Sequence, residues 1–217
     1  MTTPFYVAPE QMMKDRADYA RKGIARGRSL VAMSYADGIF ICAENRSSTL
    51  HKVSEIYDRI AFAGVGKYNE FDQLRIAGIR HADLKGFTYS REDVEARSLA
   101  NNYAQMLGQS FTHEMKPMEV EILVAEITDT PGEEQMFHIL YDGTVMDETD
   151  FVVLGGDSES IRTRVEESFE ENMSADDALS VARAALSGDG RTLEDPDLEI
   201  AMLDRTRGRR TFNRWDT

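Results

Sequence analysis

Four stretches of the sequence hold residue types that could do chemistry. The first is AGVGKYNE, Ala63 to Glu70, which sets a Gly-Lys pair between a strand-like run and a helix-like one. A phosphate-cradling loop needs a glycine five residues ahead of that pair and a Ser or Thr behind it, for backbone N–H groups and a metal-bound hydroxyl. Ala61 and Tyr68 stand in those places, so a tight strand-to-helix turn is the better reading. The second is the set of scattered histidines, His51, His81, His113 and His138. HEMKP at His113 lacks the second histidine of a zinc helix, and no Cys pair exists, so no metal is expected. No G-x-S-x-G nucleophile elbow appears; a Ser-His-Asp triad stays open on spacing alone. The third is Cys42, set in the apolar run GIFICAEN, where a small buried hydrophobe is expected rather than a reactive thiol. The fourth is the arginine-rich end, Arg205 to Arg214, read as a solvated strand pair and turn with interface ion pairs, nucleic-acid contact being the lesser alternative.

The totals bound these readings. The chain has 217 residues and a formal net charge of −14, with 41% hydrophobic and 29% charged residues. That length buries a core without staples. The acidity argues against nucleic acid as a partner. A single cysteine excludes an internal disulfide framework and fits a reducing compartment. No apolar run approaches the length of a membrane span, and MTTPFYVAPE has none of the layout of a signal peptide. A cytoplasmic protein, with no membrane contact, is the expectation.

The elements that must position any site come next. Pro9 and Glu10 suit a helix start, and Met13, Ala17, Ala20 and Ile24 recur on one helical face. Gly23 and Gly27 mark its end, giving a leading helix over 9–27. SLVAMSY and GIFICAE then read as strands joined through Asp37-Gly38, a hairpin signal. KVSEIYDRIAFAGVG gives two more short strands. Two helices follow, one from Lys67 and one with Ser90 as its N-cap. EVEILVAEI and QMFHILYD read as strands, the second turning at Asp142-Gly143, and FVVLGG leads into a second helix pair in which Ser174 is an N-cap. LEIAMLD and RTFNRW close the chain as strands. Runs of strands separated by helix pairs predict antiparallel sheets with helices outside them, an α+β fold, rather than a doubly wound parallel sheet.

On those elements the sequence resembles a known family. Pro9-Glu10, Tyr19-Ala20-Arg21 and Gly23, then VAMSYADGIFICAENRSSTLHKVSEIYDRIAFAGVGKYNEFDQL, KPMEVEILVAEI, YDGTV and FVVLGG, resemble the α subunits of the 20S proteasome in their actinobacterial form. The spacing from Pro9 to Tyr19 is one residue longer than in archaeal or eukaryotic relatives, and no long helix follows the last strand.

The resemblance implies a four-layer αββα sandwich of the N-terminal-nucleophile hydrolase type, with an extra leading helix. In the related proteolytic β subunits a threonine opens the first strand; its hydroxyl attacks while its free α-amine serves as base. Here the resemblance puts Arg28 at that place, with Glu44 near the family's acidic partner and Lys52 near its lysine. An arginine in mid-chain has neither a hydroxyl nor a free amine, so no catalytic residue is expected. Met1, Thr2, Thr3, Pro4, Phe5, Tyr6, Val7 and Ala8 would form a gate at the axis of a homo-heptameric ring. Lys52 would pair with the C-terminal carboxylate of a hexameric ring ATPase. Lys116, Pro117 and Met118 would form a constriction passing only unfolded, tagged chains. Pro9, Tyr19, Arg26 and Arg28 would contribute to the ring interface above a ring of proteasome β subunits. No cofactor is implied. Two other readings stay open: an active N-terminal threonine peptidase, and a small-molecule hydrolase of the same fold.

Overall fold

A computed structural model describes residues 8–188 and 190–215, so the expected gate segment Met1 to Ala8 lies outside the described residues except for Ala8. The strands form two five-stranded antiparallel sheets. The first runs β10 (Phe212–Arg214), β9 (Leu198–Asp204), β2 (Gly38–Glu44), β1 (Leu30–Tyr35), β8 (Phe151–Leu154). The second runs β3 (Val53–Tyr57), β4 (Ile60–Gly66), β5 (Val120–Glu126), β6 (Gln135–Ile139), β7 (Val145–Glu148). Alternation along each strand sends side chains to two cores. In β1, Leu30 and Ala32 face the core between the sheets, with Ile39, Ile41, Ala61, Ala63 and Leu123. Val31 and Met33 face the opposite side, against α4 (Ser158–Glu166) and α5 (Ala175–Ser187). The second sheet sends Phe62, Ile122 and Val124 outward against α2 (Tyr68–Thr88) and α3 (Ala96–His113). The result is the expected αββα sandwich.

The leading helix α1 covers Pro9–Ile24. It is shorter than the expected 9–27, because Arg26 and Gly27 donate back to the carbonyls of Gly23 and Ile24 in a closing turn. Ala20 and Ile24 enter the core between the sheets, so α1 lies across the end of the sandwich. Gly27 passes so close to the backbone of Gly66 at the end of β4 that a Cβ would meet its nitrogen at 2.8 Å.

Two further expectations needed correction. Ser90 accepts from the Glu92 amide and heads a single 3₁₀ turn, Arg91–Asp93, rather than α3. That helix starts at Ala96, whose N–H is taken at 2.7 Å by the buried carboxylate of Glu126, at the end of β5. Burial pushes the Glu126 carboxyl above the ordinary range, despite that bond and the nearby Arg59. Strand β7 was not anticipated. By contrast, Ser174 does cap α5, accepting from the Asp177 amide at 3.2 Å.

Candidate functional site

Arg28 stands two residues ahead of β1, its nitrogen in a peptide bond with Gly27. Three of the residues singled out in the sequence converge here. The Arg28 guanidinium reaches Glu44 at 3.2 Å, and Lys52 Nζ donates to the Arg28 carbonyl at 2.5 Å. Glu44, at the end of β2, is buried and held by both Nη atoms of Arg191, at 3.0 and 2.9 Å. Bidentate arginine pairing holds the carboxylate in one place and orientation beside Arg28. Around this point a cleft of about 500 Å³ is lined by Arg26, Arg28, Arg164 and Arg191, against Glu44 and Asp157. On a chain of net charge −14 this is a locally positive recess. Arg28 offers no nucleophile, and the adjacent Ser29 has a hydroxyl but no free amine. The recess can hold an anion, and Arg28 supplies no N-terminal nucleophile there.

Lys52 directly precedes β3. Burial lowers its ammonium to about 8, although Glu44 and Glu199 favour the charged form. Cys42, also in β2, is fully buried and its thiol is pushed up to about 12 by that burial, which leaves it inert as expected.

Lys116 has the opposite surroundings. Its ammonium lies 2.7 Å from Glu70 and 2.8 Å from Glu119, both buried, and Lys67 approaches the same two carboxylates at 3.5 and 4.0 Å. Glu70 also accepts the Glu119 amide at 2.7 Å. Hydrogen bonds donated to Glu119 and Glu70 raise the Lys116 ammonium above the lysine range. Burial opposes ionisation of Glu119, but Lys116, Lys67 and the Tyr19 hydroxyl outweigh it and hold that carboxyl below the ordinary range. Pro117 is buried, Met118 packs against the core under α2 and α3, and Met115 is wholly exposed.

This loop is strapped to α1 at both ends. Arg16 donates to the carbonyls of Phe111 at 2.6 Å, Ser110 at 3.1 Å and Glu114 at 2.6 Å, covering the open end of α3. Tyr19 donates to Glu119 at 3.3 Å, its ring lies under Lys116, and Gly23 leaves room for the Glu119 side chain. None of Arg16, Glu70, Glu119, Glu199 or Arg191 stood out in the sequence, since each acts on partners far away in the chain. The arginine-rich end is less solvated than expected: Arg205, Arg209, Arg210 and Arg214 pair within the chain with Glu134, Asp58, Glu55 and Glu199, and the Arg205–Glu134 pair is largely buried. Among the described residues no cluster of metal-ligating side chains occurs, and no helix is long and apolar enough to cross a membrane.

A family model described as proteasome subunit matches residues 24–195. The proteasome subunit alpha of Acidimicrobium ferrooxidans is 63% identical over 214 residues, spanning 99% of this chain and 92% of that protein. The chain belongs to the proteasome α-subunit family. The proteasome subunit alpha of Acidothermus cellulolyticus is 55% identical over 221 residues, covering 99% of this chain and 94% of that one. That of Thermobifida fusca is 54% identical over 217 residues, covering 99% and 87%.

In this proteasome α-type chain the remaining singled-out residues lie along α1 and its exit. Pro9 is the first residue of α1, with Ala8 extended at the N-cap. Tyr19 is 46% exposed even with its hydroxyl bonded to Glu119. Arg26 is exposed at the mouth of the positive recess.

Proposed function

We propose that this chain is a non-catalytic ring subunit of a 20S proteasome, working in the cytoplasm. Seven copies form a homo-heptameric α ring on a ring of threonine-type β subunits. The tail Met1 to Ala8 gates the axial pore, and residues 9–217 form the single domain that carries it. Lys116, Pro117 and Met118 border the passage below the gate, through which unfolded, tagged proteins enter. Pro9, Tyr19, Arg26 and Arg28 face neighbouring subunits. The observation that carries this reading is Arg28: the position where a catalytic relative displays its nucleophile holds a mid-chain arginine tied to Glu44. The surrounding positive recess, with Lys52 beside it, supports the docking of a carboxylate from a hexameric ring ATPase.

The test is reconstitution. The purified chain alone should hydrolyse no peptides, and with β subunits it should yield rings whose peptidase activity resides in β. Deleting Met1 to Ala8 should raise hydrolysis of small peptides by the complex. Lys52→Ala should remove stimulation by the ATPase while rings still assemble. A mature chain that begins with threonine and cleaves peptides unaided would overturn the proposal.

A further inference from the structure

One carboxylate gathers more donors around the Lys52 loop than any residue assigned above. Glu199 lies in β9, is 9% exposed, and pairs with Ala43 across the sheet. Its Oε2 accepts the backbone N–H of Lys52 at 2.7 Å and the Asn45 amide at 2.8 Å. Its Oε1 accepts from Arg214 at 2.8 Å and from the Val53 N–H at 3.3 Å, and His51 Nδ1 lies 3.2 Å away. Asn45 in turn donates to the Leu50 carbonyl at 2.7 Å, closing the loop that leads to Lys52. The Lys52 carbonyl accepts from Gly64 at 3.1 Å, so the Lys52 peptide is clamped between β9 of one sheet and β4 of the other.

So many bonds exceed what a surface turn needs. A buried carboxylate loses its hydration and persists only where protein donors fill its lone pairs. The same carboxylate also acts on the Lys52 side chain. The charges that face that ammonium are Glu44 from β2, Glu199 from β9 and Arg28 from the segment ahead of β1. His51 in the loop and Arg214 in β10 modulate it through Glu199, and Arg191 does so through Glu44.

We infer that Glu199 is the positioning residue for Lys52: it fixes the lysine's backbone beside the positive recess and keeps its ammonium charged for an incoming carboxylate. The inference rests on the docking role proposed for Lys52, but it makes a claim about Lys52 that can be measured without any activator. Arg214 has a defined part. It neutralises Glu199, and so limits how strongly that carboxylate supports the lysine.

Competitive labelling with acetic anhydride, applied to the assembled α–β complex over a pH series and read at Lys52 by mass spectrometry, gives the lysine's titration midpoint. In the wild type it should lie near 8. Glu199→Gln keeps the shape and removes the charge, and the midpoint should fall by about one unit. Arg214→Met frees the Glu199 charge, and the midpoint should rise. Opposite displacements from two residues of one ion pair are not what loosened packing gives. If Glu199→Gln does not assemble, Arg214→Met decides alone. An unchanged midpoint in Glu199→Gln, or a fall in Arg214→Met, overturns the inference. If Lys52→Ala abolishes ATPase stimulation while these midpoints stay fixed, docking stands and the role of Glu199 falls. Displaced midpoints with stimulation intact in Lys52→Ala give the reverse.

Discussion

Two lysines stand just ahead of strands in the same sheet, Lys52 before β3 and Lys116 before β5, and their surroundings are opposite. Lys116 is enclosed by two carboxylates that already use its charge. Lys52 donates to a carbonyl, and among the described residues it meets no carboxylate at ion-pair distance. Burial without a partner lowers one ammonium, and a double partner raises the other. A lysine whose charge is satisfied internally is a structural strut. One whose charge is desolvated but unmatched has something to gain from an anion that arrives from outside. This contrast suits Lys52, of the two, to the docking role proposed for it, and makes Lys116 the better clamp.

Four measurements sharpen or break that contrast. Lys116→Met should destabilise the fold by about 2 kcal/mol, between the ~3–5 of a broken buried pair and the ~0–1 of an exposed one, because the lysine is 39% exposed while both carboxylates are buried. Urea unfolding of the variant would show it, and a change no larger than that of a surface substitution would remove the strut. Gly23→Ala attacks the same clamp from α1. A methyl there runs into the Glu119 side chain, and about 1–2 kcal/mol should be lost. The better helix propensity of alanine, about 1 kcal/mol, only partly offsets this. Lys52→Met should change stability by less than about 1 kcal/mol, since a desolvated cation gives way to an apolar chain of similar length. A large loss would make Lys52 a strut as well.

The fourth measurement is stability in alkaline pH. The folded-state value for Lys52, about 8, lies below its ordinary 10.5, so the unfolded chain binds more protons in that window and stability should climb with pH across it. Lys116 is raised instead, so its contribution is complete below the ordinary lysine range and fades only above it. Stability against pH in Lys52→Met should therefore lose the climb, and the same curve in wild type locates it.

Legibility in the sequence followed the range of the forces involved. The strands of both cores were readable because alternation and Asp-Gly turns are local, and Ser174 was readable because its partner is three residues away. The start of α3 was not, because its first amide is capped by Glu126, 30 residues further on. Strand β7 was missed because Val145–Glu148 is short, half-exposed and sits at the edge of its sheet, where alternation fades. Arg28 and Lys52 came only through resemblance to the α-subunit family; no spacing rule marks them. Glu44 with Arg191 and Glu199 with Lys52 are each separated by 147 residues, beyond the reach of any periodicity.

The strap from Arg16 has a consequence for the order in which the chain becomes structured. Its acceptors in the α3 end and the following loop lie 94 to 98 residues downstream. During synthesis α1 emerges long before them. An isolated helix of 16 residues is marginal in water, so α1 should stay frayed until α3 and β5 are in place. A segment made early is then among the last to be secured, and a truncated chain that stops short of Ser110 should leave it open to proteolysis.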